Sequence, residues 1–290
     1  MKYNKELKRW ENSFLLAGED TCNCIICGLT AYRIQEGEYD IWFCKNCYTK
    51  FCTPRIPPDY DKVTKDNYSE YIEFSKKLKE TKKEDLIEVL NVNAITFGIP
   101  LHFLEGRSGL KILEVGCSYG YFTHALRELG HDVYGIDVSK DAIDFAKREF
   151  GNFYGMDARG MYDVIISIEC IEHVENPLEF IEKYMGMLNP GGSLVLTTPN
   201  LEFYFKVFWQ QLQGFATAME GYKIPERLKL IESLYEDYMW VTDKPPIHMT
   251  LFSTTSFIKI AEMNKFKVGF IDLHKKKNQM PPILGVVLTK

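Results

Sequence analysis

No apolar stretch in the 290 residues approaches the eighteen or so needed to cross a bilayer, so a membrane-spanning helix is not expected. The opening MKYNKELKRWENS is too polar for a signal peptide, and the expected location is cytoplasmic. Positive charge is in deficit: 35 Lys and Arg face 40 Asp and Glu, a formal net charge of −5. No global field therefore draws the chain to nucleic acid or anionic lipid. Lysines do gather at Lys76, Lys77, Lys79, Lys82 and Lys83, but Glu80, Glu84 and Asp85 interleave them, the pattern of a solvated helix face. A second group, Lys275, Lys276 and Lys277, lies near the end. Internal repeats and low-complexity tracts are absent. What remains, 46% apolar and 26% charged, is the balance of a globular protein with a full core.

Cysteine is concentrated in one place, with six of eight between Cys22 and Cys52. In a reducing compartment, tight pairs read as metal ligands rather than disulfides. Cys24-Ile-Ile-Cys27 and Cys44-Lys-Asn-Cys47 are two C-x-x-C knuckles whose four thiolates can complete a tetrahedral shell. The intervening TAYRIQEGEYDIWF alternates like a β-hairpin that would bring the knuckles together. Zinc is the default metal, with iron in a rubredoxin-like site as the alternative. Cys22 and Cys52 are surplus, although Cys22 could replace Cys24. A closed four-sulfur site has no open position, so its expected role is structural.

Three regions follow from composition: a metal-binding module over 1–52, a linker and helical extension over 53–104, and an α/β domain over 105–290. Residues 53–70, TPRIPPDYDKVTKDNYSE, read as linker, and 71–104 turns helical. Strands are expected at 111–115, 132–136, 163–168, 193–198, 267–272 and 283–288, and amphipathic helices at 119–129 and 177–188. Residues 200–246, rich in aromatics such as Phe203, Phe205, Trp209, Tyr222, Tyr235, Tyr238 and Trp240, read as an inserted helical lid.

The most informative segment is KILEVGCSYGYF, a buried strand running through Gly116 into a small-residue turn, with Gly120 opening a helix. Such a turn should let a ligand press on backbone N–H groups at a helix N-terminus. A dinucleotide fingerprint needs G-x-G-x-x-G; this turn is G-C-S-Y-G, which argues against NAD and FAD. The next strand ends at Asp137, placed to accept ribose hydroxyls at the topological switch point of an open sheet. Cys117 reads as a small filler beneath the turn.

These motifs resemble those of the class I S-adenosylmethionine-dependent methyltransferases: KILEVGCSYG their first, YGIDVSKDAIDFAK their second, and YDVIISIECIEHVENPLEFIEKYMGMLNPGGSLVLTTPN their fourth-to-fifth-strand block. The resemblance implies a Rossmann-like fold, a mostly parallel seven-stranded sheet with helices on both faces, plus the zinc-ribbon-like module and the lid. It implies S-adenosylmethionine contacts from Glu114, Gly116, Cys117, Ser118, Gly120 and Tyr121, from Asp137 and Val138, from Asp157 and Ala158, and from Glu169. Glu114 should hold the turn or reach the amino-acid end of the cofactor. Ser118 departs from the family's usual glycine; a serine there should restrict φ to negative values. Knuckles followed by a Pro-rich turn and then Tyr68 and Tyr71 resemble bacterial sugar and secondary-metabolite methyltransferases.

Transfer of a methyl group to a hydroxyl needs proximity, a dry site and a base. His173, just past the fourth strand, and His248, after the lid, are the candidate bases, each also open to a structural reading. Glu169 and His173, four residues apart, lack a third ligand for a second metal. The leading function is methyl transfer to a small polar acceptor such as a sugar or nucleotide-sugar hydroxyl. An RNA or protein methyltransferase docking through the zinc module, and a non-catalytic scaffold, are the alternatives.

Overall fold

A computed structural model describes residues 2–4, 9–11, 20–64, 68–93, 95–203, 247–273 and 282–290. Strands β1 (Lys2–Asn4) and β2 (Arg9–Glu11) pair with each other. Then come β3 (Thr21–Asn23), β4 (Thr30–Gln35), β5 (Asp40–Cys44) and β6 (Thr49–Thr53). Helices α1 (Tyr60–Thr64), α2 (Tyr68–Glu80), α3 (Leu86–Asn93) and α4 (Ile95–Leu104) follow. The next run is β7 (Lys111–Val115), α5 (Tyr121–Glu128), β8 (Asp132–Ile136), α6 (Lys140–Phe150), β9 (Tyr154–Gly155) and β10 (Tyr162–Ile168). After these lie α7 (Pro177–Gly186), β11 (Leu188–Pro199), β12 (Thr250–Leu251), α8 (Thr254–Asn264), β13 (Lys267–Ile271) and β14 (Ile283–Thr289).

Seven strands form one sheet in the order β13-β14-β11-β10-β7-β8-β9. Pairings among β7 to β11 are parallel, and β14 runs antiparallel between β11 and β13. The parallel strands are buried on both faces, which is why they read as apolar runs rather than alternations. Strand order reverses between β7 and β10, opening a crevice at their C-terminal ends. The Asn189-Pro190-Gly191-Gly192 turn bulges out of β11: Tyr162 pairs with Leu188, but Val164 already pairs with Ser193. Only residues 156–161 connect β9 to β10.

Each face of the sheet has its own cover. Leu78, Leu86, Leu90, Leu101 and Leu104, from α2 to α4, pack with Phe122, Leu126, Ile112 and Val164 on one side. On the other, Cys24, Ile26, Cys44, Cys47 and Phe51 share a core with Leu194, Leu196, Phe252 and Phe257. The knuckles are thus continuous with the core of the large sheet. Their five-stranded sheet, β12-β6-β5-β4-β3, is completed by β12, so it crosses the boundary drawn at residue 52. Nor is 53–70 merely a spacer, since it contains α1. Of the lid, residues 204–246 lie outside the described residues, as do Lys275, Lys276 and Lys277. Among the described residues, no helix is long and apolar enough to cross a membrane.

Buried hydroxyls fasten the knuckle sheet to α8. Ser253 and Ser256 form a reciprocal capping box, and both hydroxyls also donate to the Cys47 carbonyl, at 3.0 and 3.1 Å. Thr49 Oγ1 lies 2.8 Å from Ser256 Oγ and 3.1 Å from Cys47 Sγ. All three hydroxyl residues are fully buried. Ser256→Ala would remove the reciprocal half of the capping box and the Ser256 bonds to Thr49 and the Cys47 carbonyl, so it should lower unfolding stability by about 2 kcal/mol, measured by denaturant titration.

Candidate active site

The turn after β7 needs its two glycines for room. Gly116 has φ +76°, and a Cβ there would lie 2.8 Å from Cys170 Sγ. Gly120 has φ +81°, and a Cβ would lie 2.5 Å from the Tyr154 ring. The N–H groups of Gly116 and Cys117 both donate to Ile136 O, that of Gly120 to Cys117 O, and that of Ser118 to Asp137 Oδ2. This corrects the expectation of bare donors: the turn offers a close surface, with these four donors already committed. Ser118 is also corrected, because its φ is +47°. The 2.8 Å bond to Asp137 holds it in the left-handed region that glycine would occupy at no steric cost.

Asp137 accepts from Ser118 N and Ser139 N, both at 2.8 Å, one bond to each carboxylate oxygen. Each oxygen keeps a lone pair for a further donor. Burial pushes its carboxyl above the ordinary value. Tyr121 sits between Phe74 and Phe150, with ring centroids at 4.9 and 6.0 Å. Val138 is 70% exposed, and Cys117 is buried beside Ile143, Ala146 and Tyr154. Asp157 lines a cavity of about 400 Å³ with Lys111, Asp132, Tyr134, Arg159 and Tyr162. Lys111, Asp132 and Tyr162 begin their strands, so this cavity reaches toward the end of the sheet away from Gly116. Ala158 packs against the core beside it.

Glu114 is buried and accepts a short hydrogen bond from Thr123, tying β7 to α5. It holds the turn. Burial raises its pKa from 4.5 to about 8. The unfolded chain therefore releases this proton first, and stability falls as pH rises from about 4.5 toward 8. Glu114→Gln should flatten that decline, so that in denaturant melts the variant gains on the wild type between pH 5 and pH 8.

Glu169, at the end of β10, has φ +46° and a buried Oε1 with no hydrogen-bond partner. Burial raises its pKa to about 7. Next to it, the 3-10 turn Ile171–His173 presents Glu172 and His173. Glu172 is fully buried; Thr198 Oγ1 donates to its Oε2 at 2.9 Å, while its Oε1 lacks a hydrogen-bond partner. Burial, then the nearby Glu169 charge, raises its pKa well above the carboxylate range. His173 Nδ1 lies 2.8 Å from Ile247 O, which requires the proton on Nδ1 and leaves Nε2 as acceptor, 4.0 Å from Glu172 Oε1. The His248 ring is 4.7 Å from that of His173. Burial and then His173 lower the His248 pKa to about 3, so it is neutral near pH 7. One ligand atom from each of Glu172, His173 and His248 lies within 4.8 Å of the others. His173 and His248 are the two candidate bases read from the sequence; Glu172 is not among the candidates, because nothing in the sequence marks which of the two neighbouring glutamates turns toward the histidines.

The same mutual distance holds for the thiols of Cys24, Cys27, Cys44 and Cys47. Cys24 Sγ lies 3.5 Å from Cys47 Sγ, and Cys27 Sγ 3.5 Å from Cys44 Sγ. Four sulfurs about 2.3 Å from a central zinc stand about 3.8 Å apart, so the quartet fits a tetrahedral ion. The residue after each knuckle turns left-handed, Gly28 at φ +70° and Tyr48 at φ +53°. Cys22 is half-buried and Cys52 buried, and neither belongs to this quartet.

The residues at the strand ends also fit S-adenosylmethionine. Close-approach glycines, a ribose-length carboxylate at Asp137 and the orphaned Glu169 oxygen suit a ligand that combines hydroxyls with positive charge. Comparison with known proteins agrees. A family model described as "Methyltransferase domain" matches residues 84–268, more than half of the chain. A ubiquinone biosynthesis O-methyltransferase of Dictyostelium discoideum is 30% identical over 128 residues, covering 36% of this chain and 39% of that protein. One from Rattus norvegicus is 33% identical over 148 residues, covering 43% of each chain. A Shewanella halifaxensis counterpart is 27% identical over 123 residues, 38% of this chain and 52% of that one. The chain therefore spans about half or less of these relatives' own length. A solved S-adenosylmethionine-dependent methyltransferase from Mesorhizobium loti is 17% identical, covers 68% of this chain and 98% of its own, and has a TM-score of 0.47. By the extent of the family match, the chain belongs to the methyltransferase-domain family.

Proposed function

We propose that the chain methylates an oxygen of a small polar acceptor, with sugar and nucleotide-sugar hydroxyls as the first class to test. The observation that carries this reading is the cluster of Glu172, His173 and His248, with His173 half-buried between two buried partners. When bound, the cofactor supplies a methyl group on a positively charged sulfur. The chain's own residues must then seat the ligand and take up the hydroxyl proton. For seating, we assign the surface of the turn to Gly116, Cys117, Ser118, Gly120 and Tyr121. Asp137 and Val138 take the ribose end, Asp157 and Ala158 the base, and Glu169 the positively charged end. Glu114 supports the turn from below.

For the proton, the acceptor is His173 Nε2 or the neutral His248 ring. Two imidazoles with ring centroids 4.7 Å apart can share the incoming proton's charge. Holding His248 neutral keeps it able to accept, although its burial makes a lasting imidazolium costly. The relatives' names specify O-methylation in ubiquinone biosynthesis, which supports an oxygen acceptor and places ubiquinone-pathway compounds in the second arm of the screen. A second reading of the trio is a divalent-cation site, favoured by the partnerless Glu172 Oε1 facing His173. Zinc in the four-cysteine site is proposed as a structural clamp.

Calorimetry with S-adenosylmethionine should show saturable binding. Acceptor screening should show a gain of about 14 Da by mass spectrometry, the methylene added per transfer. His248→Asn and His173→Asn should lower kcat/KM by about 10²–10⁴ while leaving cofactor affinity unchanged. Methylation of RNA or protein alone would replace the acceptor class, and binding without transfer to any acceptor would favour the scaffold reading.

Metal analysis separates the two metal readings. One zinc per chain, lost in Cys44→Ser, is expected from the four-sulfur site alone. A second equivalent that survives Cys44→Ser and is lost in Glu172→Gln would mark the trio as a cation site.

A further inference from the structure

Composition marks residues 53–70 as a linker, but the side chains of Arg55, Tyr60 and Asp61 do not behave like those of one. The carbonyls of three consecutive residues on the acceptor lip of the crevice are all met from this segment. Tyr60 OH donates to His173 O at 3.2 Å, while Arg55 donates to Val174 O at 2.8 Å and Glu175 O at 2.6 Å. Arg55 also donates to Met249 O and Thr250 Oγ1, each at 2.8 Å. On the opposite lip, Asp61 Oδ1 accepts from Ser139 Oγ at 2.6 Å and from Asp141 N at 3.3 Å, at the N-terminus of α6. Ser139 is the residue whose N–H binds Asp137. The segment therefore runs from the reacting side of the crevice to its ribose side, across the C-terminal ends of the strands.

We infer that residues 55–61 form a strap over the cofactor crevice, anchored by Arg55 and latched by Asp61, and that the latch must open for the cofactor to exchange. The two ends differ in strength. Arg55 makes four hydrogen bonds from a guanidinium that burial has partly stripped of water. Asp61 makes two to α6 and its cap, next to a second carboxylate, Asp137, which it repels. The Asp61 end is the one that releases. Between them, Tyr60 stands edge-on to His173 at 6.3 Å, close enough to Asp137, Cys170 and Glu172 to feel their charges.

This inference rests on the cofactor site described above, and its test separates the two. In the full-length protein, the dissociation rate of S-adenosylhomocysteine is measured by stopped-flow displacement. Asp61→Ala, which removes both latch bonds, should accelerate it roughly tenfold. Asp61→Asn keeps an acceptor oxygen for Ser139 and should fall between the variant and the wild type. A merely structural role would lower the melting temperature without changing the ratio of these rates. Equal rates in a folded Asp61→Ala protein would overturn the latch. Should that variant fail to fold, hydrogen exchange on the wild type decides: amides of 55–64 should slow when S-adenosylhomocysteine binds, and unchanged exchange would overturn the strap. No binding by the wild type would overturn the cofactor site itself, and the strap's role with it.

Discussion

Both backbone polar groups of one buried residue, Met249, join three parts of the chain. Its N–H donates to Glu172 O at 2.9 Å, and its carbonyl accepts from Cys52 N at 3.1 Å and from Arg55 at 2.8 Å. Met249 is fully buried, so none of these bonds can be exchanged for water without cost. One residue before it stands His248; one residue after it, β12 begins its pairing with β6. The thiol knuckles, the strap and the acceptor trio are therefore set relative to one another through a single segment. This is why the knuckle module shares a core with the large sheet instead of hanging from a tether. A small sheet with little apolar surface of its own gains stability from a bound metal and from a larger neighbour.

The large sheet was legible because its parallel strands are covered on both faces and so appear as uninterrupted apolar runs. The expected strands at 111–115 and 132–136 coincide with β7 and β8. Family resemblance then implied a mostly parallel seven-stranded sheet, which periodicity alone does not. Other features left no periodic trace. β12 is two residues long, too short to show alternation, and its role depends on a partner some two hundred positions earlier. The 53–64 segment is rich in proline and charge, the composition of a linker, while its fixed position comes from carbonyls supplied by residues 173–175. Ser118 misled for a related reason. Intrinsic preference keeps serine at negative φ, but a hydrogen bond to Asp137 outweighs it.

Around the crevice, burial keeps formal charge low. Glu114 and Glu172 are pushed toward their neutral forms, Glu169 is brought to about 7, and His248 is held neutral. Each shift has the same main cause, the loss of water, and each carries a cost that a ligand of the right charge can return. A cation placed against the partnerless oxygen of Glu169 would favour its ionised form and so lower its pKa. Loading the crevice with a positively charged ligand thereby couples binding to proton release.

The three carboxylates at the strand ends are engaged differently. Glu114, sealed beneath the helix by Thr123, spends its hydrogen-bonding capacity inside the fold and keeps the turn in place. Glu169 keeps one buried oxygen without a hydrogen-bond partner. Asp137 stands between these extremes, engaged by two backbone donors yet with a lone pair remaining on each oxygen. Hydroxyl recognition suits Asp137, because two bonds already fix its orientation and a hydroxyl needs only an acceptor. Charge recognition suits Glu169, whose protonation a ligand can still change. The three positions are 23 and 32 residues apart in sequence, and the reversal of strand order at β7 and β10 brings their strands side by side. The topology thus gathers Glu114, Asp137 and Glu169 onto one edge of one sheet, which residues 55–61 bridge through Tyr60 and Asp61.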